Sequence, residues 1–108
     1  MARYVHVGKL AEFKPGQRKT VWVSGTKVLV LNVDGQIFAV DEQCTHMQCS
    51  LMNGPVHGTI IECPCHYARF DLRDGKVLQG PANGDLPTFK VKIENGEILV
   101  EERPPEIV

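Results

Sequence analysis

The chain lacks an apolar run long enough to cross a bilayer, and its first residues, Met-Ala-Arg-Tyr-Val-His, lack the apolar stretch of a signal peptide. Neither a membrane segment nor a secretory leader is therefore expected. It also lacks charge of one sign: the formal net charge is only −1, which gives no reason to expect nucleic-acid binding. There is no internal repeat, no low-complexity tract and no convincing amphipathic helix. At 108 residues there is no room for a second domain, although an apolar content of 43% suffices for one core. A nucleophile paired with a base, a glycine-rich phosphate loop and a substrate pocket are likewise not legible, so catalysis on a substrate of its own is not expected.

What the chain does have is many short apolar or β-branched runs punctuated by turn signals, which predicts an all-β domain. Tyr4 to Val7 alternates, Leu10 to Phe13 forms a short segment, and Pro15-Gly16 reads as a turn. Thr20 to Val23 and Lys27 to Val33, separated by Ser24-Gly25, read as a hairpin. Asp34-Gly35 leads into a third strand, Gln36 to Val40. Met52-Asn53-Gly54-Pro55 breaks the path before a short strand, Thr59 to Glu62. Phe70 to Leu72 and Lys76 to Leu78 flank Asp74-Gly75 as another hairpin. Thr88 to Ile93 alternates, Asn95-Gly96 turns it, and Glu97 to Glu101 returns. The tail Arg103-Pro104-Pro105 is unsuited to a central strand. Trp22, Phe38 and Phe89 read as core residues of their strands.

The chemistry concentrates between Cys44 and His66. Cys44-Thr45-His46 is followed after sixteen residues by Cys63-Pro64-Cys65-His66, so each of two short segments offers one thiol and one imidazole. Two of each would fill a tetrahedral zinc site or a two-iron cluster. Zinc fingers usually place two Cys close together and two His close together, whereas here the types are mixed on each segment. His6 and His57 have no partner at ligand spacing and read as ordinary structural residues.

Cys-x-His with Cys-x-x-His sixteen residues on resembles the Rieske [2Fe–2S] signature. The resemblance covers most of residues 20 to 102, including Phe70-Asp71-Leu72, Asp74-Gly75, Gly80-Pro81-Ala82 and Leu86-Pro87. It implies a Rieske-like antiparallel β sandwich or barrel over residues 1–108, with a cluster-binding subdomain of two loops at about 41–82. It also implies one [2Fe–2S] cluster, with Cys44 and Cys63 on one iron and His46 and His66 on the other. Leu51 resembles the family's apolar residue between the loops, and Gly80 and Pro81 its covering proline loop. Cys49 and Cys65 resemble the extra, disulfide-bonded pair of the cytochrome bc-type members. Mesophilic cytosol rarely sustains disulfides, so the pair suggests a thermophilic source or a periplasmic-type ancestry; the alternative is two reduced, buried thiols.

Two neutral imidazoles in place of two thiolates leave the oxidised core with less negative charge. This lifts Rieske potentials to roughly −150 to +300 mV, against about −400 mV for plant-type ferredoxins. In the bc-type proteins two hydroxyls, two and four residues after the second His, donate to cluster sulfur. Ala68 and Phe70 stand at those positions. Without those donors the reduced cluster is less stabilised, and a potential below the bc-type proteins is expected. The resemblance further implies a cytoplasmic electron carrier between a flavin reductase and an oxygenase-type acceptor. Its rivals are a small subunit of a nitrite-reductase or arsenite-oxidase type complex, a truncated domain of a membrane complex, and a non-redox zinc module. Residues 1 to 30 carry six Lys/Arg against one Asp/Glu, and the remainder six against twelve. This asymmetry reads as solvated surface, or as a docking field for a redox partner.

Overall fold

A computed structural model of the chain describes residues 3–23, 25–43, 49–65, 67–80 and 85–102. Cys44, His46, His66, Pro81 and Ala82, with Ser24 and the proline tail, lie outside the described residues.

The strand from Thr26 to Val33 organises the rest. Its run Val28-Leu29-Val30-Leu31 is buried on both faces, because successive side chains point to opposite sides and each side meets a core. Numbered in chain order, this strand is β3. It lies between β2 (Arg18–Val23) and β4 (Gln36–Asp41), and β9 (Thr88–Phe89) pairs with the far side of β4. Val23 pairs with Thr26 and Val33 with Gln36, so two residues separate the paired strand ends in each case. At Asp34 and Gly35 both φ angles are positive, at 51° and 93°, the conformation of a hairpin turn whose twist matches its strands.

A second sheet closes over one face. It has the order β1 (Arg3–Lys9), β11 (Glu97–Glu102), β10 (Val91–Glu94), with a bulge at Val7 and a tight turn at Asn95-Gly96. Ile98 and Val100 pack there against Val28, Val30, Ala39, Phe13 and Phe89. The third sheet covers the other face and comprises β5 (Val56–His57), β6 (Ile60–Glu62), β7 (Arg69–Asp71) and β8 (Val77–Gln79) in simple succession. Ile61, Phe70 and Leu72 pack there with Leu29, Leu31, Phe38, Val40, Leu51 and Cys63. The architecture is nearly all β, in three antiparallel sheets; a single 3-10 turn, Leu10–Glu12, is the one helical element among the described residues.

Several expectations are corrected. Trp22 is 65% exposed rather than in the core. It lies on the edge strand β2 opposite Lys27, whose ammonium sits 5.5 Å from the ring centroid. Phe38 and Phe89 are buried. The run from Thr88 to Ile93 is two strands: it leaves β4 after Phe89 and joins β11 from Val91, changing sheets at Lys90. The hairpin expected around Asp74-Gly75 is present, with β7 paired antiparallel to β8. Leu72 stays opposite Thr59 and donates to its carbonyl at 2.7 Å, the Asp71 carboxylate accepts from the Arg73 amide, and the Gly75 amide donates to the Asp71 carbonyl at 2.7 Å, which turns the chain. Gly75 is required there because a Cβ would lie 1.8 Å from the Leu86 carbonyl oxygen.

Candidate metal centre

The first candidate segment follows β4, and the second lies between β6 and β7 of the third sheet. The first opens after Asp41. Gln43 and Ser50 form an isolated antiparallel bridge, the Leu51 amide donates to the Glu42 carbonyl at 2.7 Å, and the Ser50 hydroxyl donates to the Glu42 carboxylate. Asp41 Oδ1 accepts from the Gln43 amide at 2.9 Å. Burial pushes the Asp41 pKa up, the Gln43 amide opposes this, and the Glu42 charge adds to it.

The second segment joins β6 to β7, whose last register pair is Glu62 with Arg69. The Cys63 amide donates to the Ala68 carbonyl at 2.7 Å, and the Tyr67 amide donates to the Cys63 carbonyl at 2.9 Å. This closes a narrow loop. Tyr67 completes it with φ at 64°, unusual for an aromatic residue, and is 63% exposed. No glycine marks the turn, so it was not legible in the sequence.

The two segments meet through sulfur. Cys49 and Cys65 are joined as a disulfide with Cα atoms 6.5 Å apart, and the sulfurs of Cys49, Cys63 and Cys65 all lie within 4.8 Å of one another. Two of the three are consumed in the disulfide, which leaves Cys63 as the thiol available to a metal among the described residues. Cys63 is 1% exposed and packs in the core with Leu51, Ala68 and Phe70. A buried soft donor on a closed loop, tied to the other segment at Cys49, fits a thiolate-ligated iron–sulfur centre. Cys44, His46 and His66 lie outside the described residues. Gly80 follows β8 and is exposed, and Pro81 lies outside the described residues. His6 pairs with Glu97 at 3.4 Å on the surface, and His57 lies in β5.

Sequence reasoning missed the residues that brace the loops. Arg18 Nη1 donates to the carbonyls of Leu51, Met52 and Gly54, at 3.4, 3.2 and 2.7 Å. Gly54 permits a backbone approach, since a Cβ would lie 2.3 Å from the Glu62 carbonyl oxygen. The turn Gly54-Pro55 was visible in the sequence, but nothing there distinguished Arg18 from a solvated arginine. On the far side of the third sheet, the Arg73 guanidinium bonds Asp71 at 2.7 Å and holds its carboxyl below the usual range.

Comparison with known proteins gives a consistent result. The family profile of the Rieske [2Fe-2S] domain matches residues 3–90. Over 99 residues the chain is 33% identical to the ferredoxin component of the naphthalene 1,2-dioxygenase system of Pseudomonas putida, covering 92% of this chain and 95% of that one. The solved ferredoxin of carbazole 1,9a-dioxygenase from Nocardioides aromaticivorans IC177 aligns with a TM-score of 0.87 at 31% identity, covering 93% and 98% of the two chains. A chain in the solved complex of reduced oxygenase and oxidised ferredoxin in carbazole 1,9a-dioxygenase aligns with a TM-score of 0.82 at 31% identity, covering 89% and 99%.

Proposed function

This chain belongs to the Rieske [2Fe–2S] family, and from that premise we propose that it is a one-electron carrier that takes electrons from a flavin reductase and passes them to an oxygenase. Its cofactor is one Rieske-type [2Fe–2S] cluster. The observation that carries the reading is likeness along nearly the whole length of both chains to the ferredoxin component of a dioxygenase system. The solved oxygenase–ferredoxin complex supports the direction of transfer. The chain acts as a component of a multicomponent oxidoreductase and not as the catalyst.

When bound, the cluster supplies a one-electron couple. Cys44 and Cys63 would hold one iron, and His46 and His66 the other. The Cys63 loop is closed by its own backbone bonds, which orient that ligand. The Cys49–Cys65 link resists separation of the two segments, and Leu51, fully buried between them, excludes water from one side. Gly80 and Pro81 would cover a third side. In this reading residues 41–82 are the cluster-binding subdomain of a single domain, 1–108. Among the described residues no helix is long and apolar enough to cross a membrane. The cytoplasm, with its reductase and oxygenase partners, is the compartment we assign.

Stopped-flow mixing tests the function. Dithionite-reduced protein, freed of excess reductant, is mixed without air with the oxidised oxygenase component of naphthalene 1,2-dioxygenase. The expected result is one electron delivered per chain, read as return of this protein's oxidised visible bands. Reoxidation no faster than in buffer alone would contradict the proposal.

A further inference from the structure

The backbone between the two cluster-binding segments runs from Cys49 through Gly54-Pro55 to β5, held at its start by the Leu51 amide on the Glu42 carbonyl and by the buried Leu51 side chain. Beyond Leu51 a further tie comes from β2. Arg18 pairs with Leu31, which places it on the face of the central sheet that packs against the third sheet. From there one guanidinium nitrogen reaches three carbonyls, those of Leu51, Met52 and Gly54, 33 to 36 residues away in the chain. Its neighbour Thr20 meets Met52 Sδ at 3.7 Å from the same face. The far side of this strap lies against β6, where Gly54 abuts the Glu62 carbonyl and the Glu62 amide donates to the Pro55 carbonyl at 2.9 Å. Glu62 immediately precedes Cys63, and Leu51 follows Cys49 by two residues. One side chain therefore sets the position of a strap that touches both segments.

We propose that Arg18 is a positioning residue for electron transfer: it fixes the strap between the two cluster-binding segments and holds there a positive charge that favours the reduced cluster. The inference rests on the function given above. Arginine stays protonated in proteins, and although burial pushes this pKa down from its ordinary value, the guanidinium keeps its charge at neutral pH. Reduction adds one negative charge to the cluster. A cation held on the carbonyls of Leu51 and Met52, whose side chains share a core with Cys63, is attracted more strongly to the reduced form than to the oxidised one. Removing the charge therefore lowers the potential. Shortening the reach of the donor while keeping its charge loosens the strap without that shift.

Arg18→Lys separates the two roles, because an ammonium keeps the charge but sits on a shorter side chain than the Nη1 that reaches the three carbonyls. Arg18→Gln and Arg18→Met remove the charge, and Met retains an apolar stem should Gln impair folding. Potentials are measured by spectroelectrochemistry on the coloured fraction only, so incomplete cluster loading does not bias them. For both neutral variants the expected result is at least a threefold fall in the reduced-to-oxidised ratio at fixed potential. That is about 28 mV at 59 mV per tenfold for one electron. Arg18→Lys is expected to keep the parent potential yet bleach several-fold faster on warming. A neutral variant with the parent potential would overturn the proposal, and so would a lysine variant shifted as far as the neutral ones. A colourless parent protein would instead defeat the functional reading, and the role of Arg18 with it.

Discussion

Phe70→Tyr adds a single hydroxyl at a position where burial makes its fate measurable. Phe70 is fully buried in β7, paired with Ile61 and Val77, and shares its core with Cys63 and Ala68. A hydrogen bond to a charged acceptor contributes about 1.5–3 kcal/mol, and only the excess for the reduced state over the oxidised state moves the potential. With about 1 kcal/mol of excess, the midpoint rises by about 40 mV, since a one-electron couple shifts 59 mV for each 1.4 kcal/mol. If the hydroxyl finds no sulfur, it is a buried polar group without a partner and costs about 1–3 kcal/mol. At about 4–8 °C per kcal/mol for a domain near this size, that loss is plain in a thermal melt. Spectroelectrochemistry and melting of the same preparation therefore give opposed signatures. A raised potential with Tm held supports a hydroxyl that reaches the cluster. A lowered Tm with the potential unchanged refutes the assignment of this position as potential-tuning. Ala68→Ser, also buried and bonded through its carbonyl to the Cys63 amide, should raise the potential in the same direction.

Leu51→Ala should destabilise the protein by about 2–5 kcal/mol, because a fully buried leucine leaves a cavity beside Cys63. Thermal bleaching of the visible bands reads it, and a loss under about 1 kcal/mol would mean Leu51 does not seal the loops. Cys49→Ser/Cys65→Ser opens a link between residues separated by 16 positions, which the chain-entropy estimate values at about 3 kcal/mol. An unchanged urea midpoint would show that the purified protein carries two thiols instead. Asp41→Asn keeps the oxygen that accepts from Gln43 and removes a charge whose folded pKa is raised, first by burial. A raised carboxyl pKa means wild-type stability falls as pH rises above the ordinary value of 3.8. The amide variant should therefore melt slightly higher at neutral pH, by less than about 4 °C, with the difference vanishing below that value. A gain that persists in acid would point to packing rather than charge.

What could be read from the sequence was whatever is fixed by covalent spacing or by one residue's backbone freedom. Asp34-Gly35 and Asn95-Gly96 turn the chain where expected, because both positions of each turn need positive φ. The Cys/His spacing pointed to the family for the same reason: ligand order is a property of the chain. Contacts between distant segments were not legible. Nothing in Arg3–Lys9 indicated that its partner is the strand 97–102, and the break at Lys90 follows from two sheets competing for one run. Trp22 misled because hydrophobicity says a ring prefers burial but not which edge of the sheet its strand occupies. Arg18 was invisible because its three acceptors lie more than thirty residues away.

The low-temperature EPR spectrum of the purified protein, before and after dithionite, together with its visible absorption, tests the central claim most directly. A histidine-ligated two-iron centre predicts a red-brown protein that bleaches on reduction and then gives a rhombic signal whose average g lies below that of all-cysteine clusters. A colourless, EPR-silent protein with stoichiometric zinc would contradict it and leave a binding module in place of an electron carrier.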